Sequence, residues 1–335
     1  MDTGQPPPLF FIHLHKAAGT SFLQAAADHG LLRGATQPAD DGWPAGADEA
    51  CDQQPAKQRA SMSKRCCLWR EAARTRGIAI CEPGHWLNRT QPSVCAFGFD
   101  PRTDLCHGVL QYVCLVREPE ARLLSHMCEH SLSVPAVLAA LDPISPEQQA
   151  RCEVREPSPS CKRPATSQSS TTWPAGPGVD NYLVRSLGGR SAWTAPSGQI
   201  NESHLAAAMK TVRDLDVVLR LEHLQSDLAQ LTLLSPEMRS WTALPHVHAH
   251  ACRTRRYVRK ATASRNVSDL VADRAARLSA AELVRSEFSH AEWQHVVHAN
   301  RFDARLYAWA AKLAAERTLT AAAGTRSTRP PYLSR

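Results

Sequence analysis

Residues 9 to 21 read LFFIHLHKAAGTS, an apolar run that breaks into a lysine, a glycine and two hydroxyls just before a helix-forming stretch. A strand that ends in a tight turn at a helix N-terminus presents backbone N–H groups and the positive end of the helix dipole to whatever sits there, which makes an anion site. Lys16 adds a mobile positive charge, Thr20 and Ser21 add hydroxyl donors, and Ala18 and Gly19 supply backbone, with Gly19 allowing close approach of a ligand. Such a cradle suits a pyrophosphate-like group. A second cluster lies in YVCLVREPEARLLSH, where Arg117 ends an apolar run and Ser125 follows eight residues later, two turns into the next helix. An arginine fork and a serine hydroxyl converging on one crevice would clamp a phosphate dianion. The plainer alternatives are an ordinary strand-to-helix turn with Thr20 or Ser21 as N-cap, and an Arg117 paired with Glu118 or Glu120.

These residues need elements to hold them. Short apolar runs bounded by turn residues at 9 to 14, 77 to 81, 111 to 116 and 215 to 221 read as strands, and the turn or helix after each predicts parallel pairing with crossover connections. A parallel sheet of this kind is expected to be buried on both faces. Helices are predicted over 20 to 28, 119 to 130, 180 to 187, 202 to 213, 225 to 234, 267 to 288 and 290 to 316, with Pro119 at a helix start where its missing N–H costs little. The expectation is an α/β fold with a P-loop-type parallel sheet flanked by helices, as a single elaborated domain with a helical C-terminal part. It spans 9 to 316, after a tail at 1 to 8 and before a disordered tail at 317 to 335. Residues 34 to 60 and 142 to 178, rich in Pro, Gly and polar side chains, read as surface insertions.

The motif FFIHLHKAAGTSF resembles the 5′-phosphosulfate loop of Golgi-type carbohydrate sulfotransferases, usually close to F-x-H-x-P-K-T-A-G-T-S, with His15 replacing the proline and Ala17 the threonine. REPEARLLS is similar to the same family's 3′-phosphate motif, R-[DE]-P-x-x-R-x-x-S, through Arg117, Glu118, Pro119, Arg122 and Ser125. Weaker echoes are DNYLVRSLGG at 180 to 189, the stretch from 214 to 231, Asp303 with ARLYAWA, and LPHVHAH at 244 to 250, where His248 stands in place of an asparagine. The resemblance implies transfer of a sulfuryl group from 3′-phosphoadenosine-5′-phosphosulfate (PAPS) to a carbohydrate hydroxyl in the Golgi. It assigns Lys16, Ala18, Gly19, Thr20, Ser21, Arg117 and Ser125 to the nucleotide. Lys16 also neutralises the leaving oxygen. A base must come from elsewhere, and CEPGHW, following the second strand, offers His85 first and Glu82 second, since neutral imidazole is available near pH 7. His13 and His15 flank the cradle, able to orient Lys16 or touch substrate. Trp86 could stack on a sugar or simply pack.

The totals fit this class. Lys and Arg number 39 against 32 Asp and Glu, a net +7 that suits anionic ligands, while RTRRYVRK at 253 to 260 could fold over the nucleotide or be a solvated charge run. Nucleic acid is not expected as a partner. Eleven cysteines without a Cys-x-x-Cys spacing suggest disulfides rather than structural zinc, and three of the five asparagines, Asn88, Asn201 and Asn266, lie in glycosylation sequons. The apolar run at 8 to 14 is too short for a span of about 20 residues, so membrane attachment is expected only through an anchor outside this chain. No metal is expected. Two other readings compete: a non-catalytic anion- or glycan-binding protein, and a P-loop kinase. The kinase reading requires magnesium and G-x-x-x-x-G-K-[ST], whereas Lys16 here precedes Gly19 and no glycine opens the loop.

Overall fold

The four apolar runs form strands β1 (Leu9–Ile12), β2 (Ile78–Cys81), β3 (Gln111–Val116) and β4 (Val217–Arg220). All pair parallel, in the order β2-β1-β3-β4, with Phe10 level with Ala79 and Tyr112, and Val113 level with Val217. Every residue of β1 is buried, as is β3 beyond Gln111, which fits a sheet covered on both faces. The computed structural model describes residues 8–31, 51–52, 64–76, 78–81, 99, 105–106, 109–130, 132–142, 178–234, 238, 241, 244 and 280–323. Expectations for the insertions therefore lie almost wholly outside the described residues, as do Asn88 and Asn266.

The helices are α1 (Gly19–Asp28), α2 (Lys64–Arg76), α3 (Pro119–His130), α4 (Val134–Leu141), α5 (Tyr182–Leu187), α6 (Gly189–Thr194), α7 (Glu202–Asp214), α8 (Leu224–Asp227), α9 (Ala280–Arg285), α10 (His290–Ala299) and α11 (Arg301–Ala322). The main core joins the sheet to α1, α2, α5, α7 and α11, for example through Phe10 against Trp69 with ring centroids 4.6 Å apart. A second, smaller core gathers Leu123 and Met127 of α3, Val137 of α4, Val284 of α9 and Trp293 of α10. Of the helix predicted over 267–288, the described part is helical from Ala280 to Arg285, and 267–279 lie outside the described residues.

Several elements differ from expectation. The helix predicted over 225–234 is one turn of α8 followed by 3-10 backbone from Leu228 to Leu233. Among the described residues β4 is an edge strand, and this segment serves its outer edge: the Gln230 side chain accepts from Val218 N at 3.4 Å and donates to Val218 O at 2.9 Å, and Asp227 accepts from Arg220 N at 2.9 Å. The predicted helix 290–316 breaks at Asn300, whose side chain donates back to Val296 O at 3.0 Å and accepts from Asn181 N at 2.8 Å. α11 then continues to Ala322, so the expected tail from 317 begins as helix. Sequence reasoning missed α2, because its buried stripe is built of Cys66, Cys67, Leu68, Trp69, Ala72 and Ala73 rather than of large aliphatics. It also missed α4, where Pro135 looks like a breaker but falls in the first turn, capped by Ser133. Asn201 of the second sequon is the N-cap of α7, its side-chain oxygen accepting from Ser203 N at 3.0 Å and His204 N at 3.3 Å.

Disulfides Cys51–Cys67 and Cys66–Cys106 anchor α2 to the chain on either side of it, while Cys114, in β3, is a buried free thiol. No described helix is long and apolar enough to cross a membrane.

Candidate functional site

The chain leaves β1 for β2 on one flank and later for β3 on the other, so the C-terminal ends of β1 and β3 border the place where connections part. In open α/β sheets that is where a ligand crevice forms. Both sequence motifs sit there. Past β1 the ladder runs one residue further, with His13 N donating to Cys81 O at 2.8 Å, and the turn closes by Ala17 N donating to Leu14 O at 3.2 Å. Lys16 and Ala18 adopt left-handed backbone, φ 64° and 60°. Non-glycine residues rarely hold that conformation, at a cost of about 1–3 kcal/mol each, and such strain concentrates at ligand clamps.

α1 begins at Gly19, so its N-cap is Ala18, which makes no side-chain cap bond, and its first turn carries no acid. Thr20 and Ser21 therefore sit inside the first turn, and the capping alternative for them falls. An N-terminus left without a capping oxygen or a carboxylate is the arrangement an anion can complete. Gly19 has a packing role that sequence did not suggest. A Cβ there would lie 1.7 Å from Cδ2 of His13, a buried ring stacked on Phe11. The glycine makes room for an imidazole as much as for a ligand.

Arg117, just past β3, donates from Nη1 to Lys16 O at 3.2 Å, across 101 residues of sequence. The two motifs thus meet at the C-terminal edge of the sheet. Burial lowers the pKa of the half-buried Arg117, with Glu222 and Glu118 pulling it back up. The Glu118 carboxylate itself accepts from Glu120 N at 3.3 Å and Ala121 N at 2.7 Å, capping α3 rather than pairing with Arg117. Ser125 is half-buried in the second turn of α3, and among the described residues no polar contact ties it to the turn. Lys16 is engaged: its Nζ lies 3.0 Å from Oε2 of Glu129 at the exposed end of α3. Glu82, His85, Trp86, His248 and the basic run 253–260 lie outside the described residues.

Sequence reasoning missed a cluster beside the lysine. His15, His126 and His130 converge, with His126 Nδ1 3.2 Å from His15 Nδ1, and the rings of His126 and His130 4.5 Å apart. Glu129 Oε2 lies 3.3 Å from His15 Nε2. Burial, then the nearby His126, His130, Lys16 and Arg122, push the pKa of His15 far down. Burial also lowers His130, against the upward pull of Glu129. The spacing of His126 and His130, four apart on one helix, is the signal that sequence carried. His15 replaces a proline of the resembling motif, and its backbone N–H donates to Tyr182 Oη at 2.9 Å, a bond proline lacks.

The weaker echoes have an architectural basis. Arg122 is wholly buried, its guanidinium 4.6 Å from the Tyr182 ring centroid and donating to Gly178 O at 2.7 Å. Asp303 accepts from Leu183 N and Val184 N, both at 2.9 Å, and so caps α5 from α11. Arg185, also buried, pairs with Asp180 and donates to Ala195 O at 2.6 Å. These residues fix Tyr182 behind the turn. Compared with family models, curated proteins and solved structures, the chain has no match.

Proposed function

We propose that this chain is a PAPS-dependent sulfotransferase acting on a hydroxyl of a carbohydrate. The observation that carries the reading is the 3.2 Å bond from Arg117 Nη1 to Lys16 O, since a nucleotide with phosphate at both ends needs its two grips in one crevice. The donors fit such a group: an uncapped helix N-terminus with hydroxyls in its first turn for the phosphosulfate, and a half-buried guanidinium for the 3′-phosphate.

Sulfuryl transfer is an in-line displacement in which charge builds on the bridging oxygen as the leaving group departs, so catalysis rests on positioning and on cations aimed at that oxygen. Lys16 supplies the mobile charge once Glu129 releases it, while Thr20 and Ser21 orient the group. His85, with Glu82 as the second choice, takes the acceptor's proton as the new bond to sulfur forms. The disulfides support an oxidising compartment, in keeping with the Golgi lumen. The P-loop character of the sheet belongs to the same proposal.

A non-catalytic anion-binding protein is the second reading, favoured by one observation: Lys16 Nζ is already held 3.0 Å from Glu129. Transfer of labelled sulfate from PAPS to a panel of polysaccharides separates the two. An enzyme labels at least one acceptor, and loses labelling in Lys16→Ala and His85→Ala. A binder labels none, yet retains 3′,5′-adenosine diphosphate.

A further inference from the structure

We propose that His15, His126 and His130, with Glu129 as the fourth ligand, form a binding site for a borderline divalent cation such as Zn2+. One ligand nitrogen from each histidine lies within 4.8 Å of the others. Around tetrahedral zinc, ligands at about 2.0–2.1 Å sit roughly 3.3 Å from one another, so the side chains must turn to close on one ion. Glu129 Oε2 is 3.3 Å from His15 Nε2 and 3.8 Å from His130 Nε2, whereas His126 Nδ1 faces His15 Nδ1, so the ion would sit on one His15 nitrogen and draw the remaining ligands toward it.

The donor chemistry selects the ion. Three imidazoles and one carboxylate suit Zn2+, Co2+ or Ni2+, whereas Mg2+ and Ca2+ demand mostly oxygen. Two of the histidines come from a single face of α3 and the third from the turn after β1, so the ion would staple that turn to α3. His126 is fully buried at the floor, and Glu129, 40% exposed, provides the entry. The same Glu129 oxygen holds Lys16, so coordination would take that partner from the lysine. The proposal does not depend on the sulfotransferase reading.

The test is titration of the untagged chain with Co2+ followed by visible absorption, then displacement by Zn2+ followed by calorimetry. The expected result is one Co2+ per chain with the intense bands of a four-coordinate ion. Affinity should fall at least tenfold in His130→Ala and in Glu129→Gln, and remain unchanged in His295→Ala, on the exposed face of α10. Both test positions are partly exposed, so these variants keep the test sound if His126→Ala fails to fold. Absence of stoichiometric binding overturns the proposal. So does binding that survives His130→Ala and Glu129→Gln but is lost when His246, His248 and His250 are replaced.

Discussion

At Gly19 a single hydrogen leaves the space that the His13 ring fills beneath the turn after β1. With a methyl group 1.7 Å from His13 Cδ2, Gly19→Ala must expel a buried ring from its stack on Phe11. Overpacking of this kind costs about 1–3 kcal/mol, so the urea midpoint should drop in Gly19→Ala and recover in large part when His13→Ala is added. Equal midpoints for wild type and Gly19→Ala would refute the packing role. Lys16, Thr20, Ser21 and Arg117 could be singled out as candidates because their types and order are local. The histidine cluster was not, since His15 meets His126 only after the sheet aligns β1 with β3. His85 and Glu82, chosen by position after β2, lie outside the described residues.

Among the elements, the α5–α11 junction carries the least expected chemistry. Burial raises the Asp303 carboxyl to about 6, against the opposing pull of the bonds from Leu183 and Val184 and of the Arg122 charge. A carboxyl whose folded pKa exceeds its unfolded value of 3.8 binds more protons in the native state between the two, so stability falls as pH rises through about 4 to 6. Two units correspond to about 3 kcal/mol. Asp303→Asn keeps one acceptor without charge, so its urea midpoint should lack that decline. Parallel pH profiles for the two proteins would contradict the assignment. Strand positions and the span of α3 followed from apolar runs and from Pro119. The segment after β4 could not be read the same way. Its apolar spacing suits a helix, and only the edge of β4 and the side chains of Asp227 and Gln230 bend it into 3-10 backbone.

For the molecule as a whole, covalent staples and a strand-order reversal do the organising. Cys66–Cys106 closes a separation of 40 residues, and removing a loop constraint of that length costs about 4 kcal/mol. Cys66→Ser combined with Cys106→Ser should therefore lower the thermal midpoint of the non-reduced protein, and an unchanged midpoint would show that the bridge contributes nothing. Disulfide pairing was hidden in the sequence because partners are chosen by α2, an element its cysteines obscure.

The central claim is that the turn after β1 and the end of β3 grip one ligand together. Calorimetric titration with 3′,5′-adenosine diphosphate tests it most directly. The wild type should bind, and Lys16→Ala and Arg117→Ala should each weaken binding by about tenfold or more, the worth of a charge-assisted hydrogen bond, while His85→Ala leaves affinity unchanged. Absence of binding, or an affinity that neither Lys16→Ala nor Arg117→Ala alters, would contradict the shared crevice.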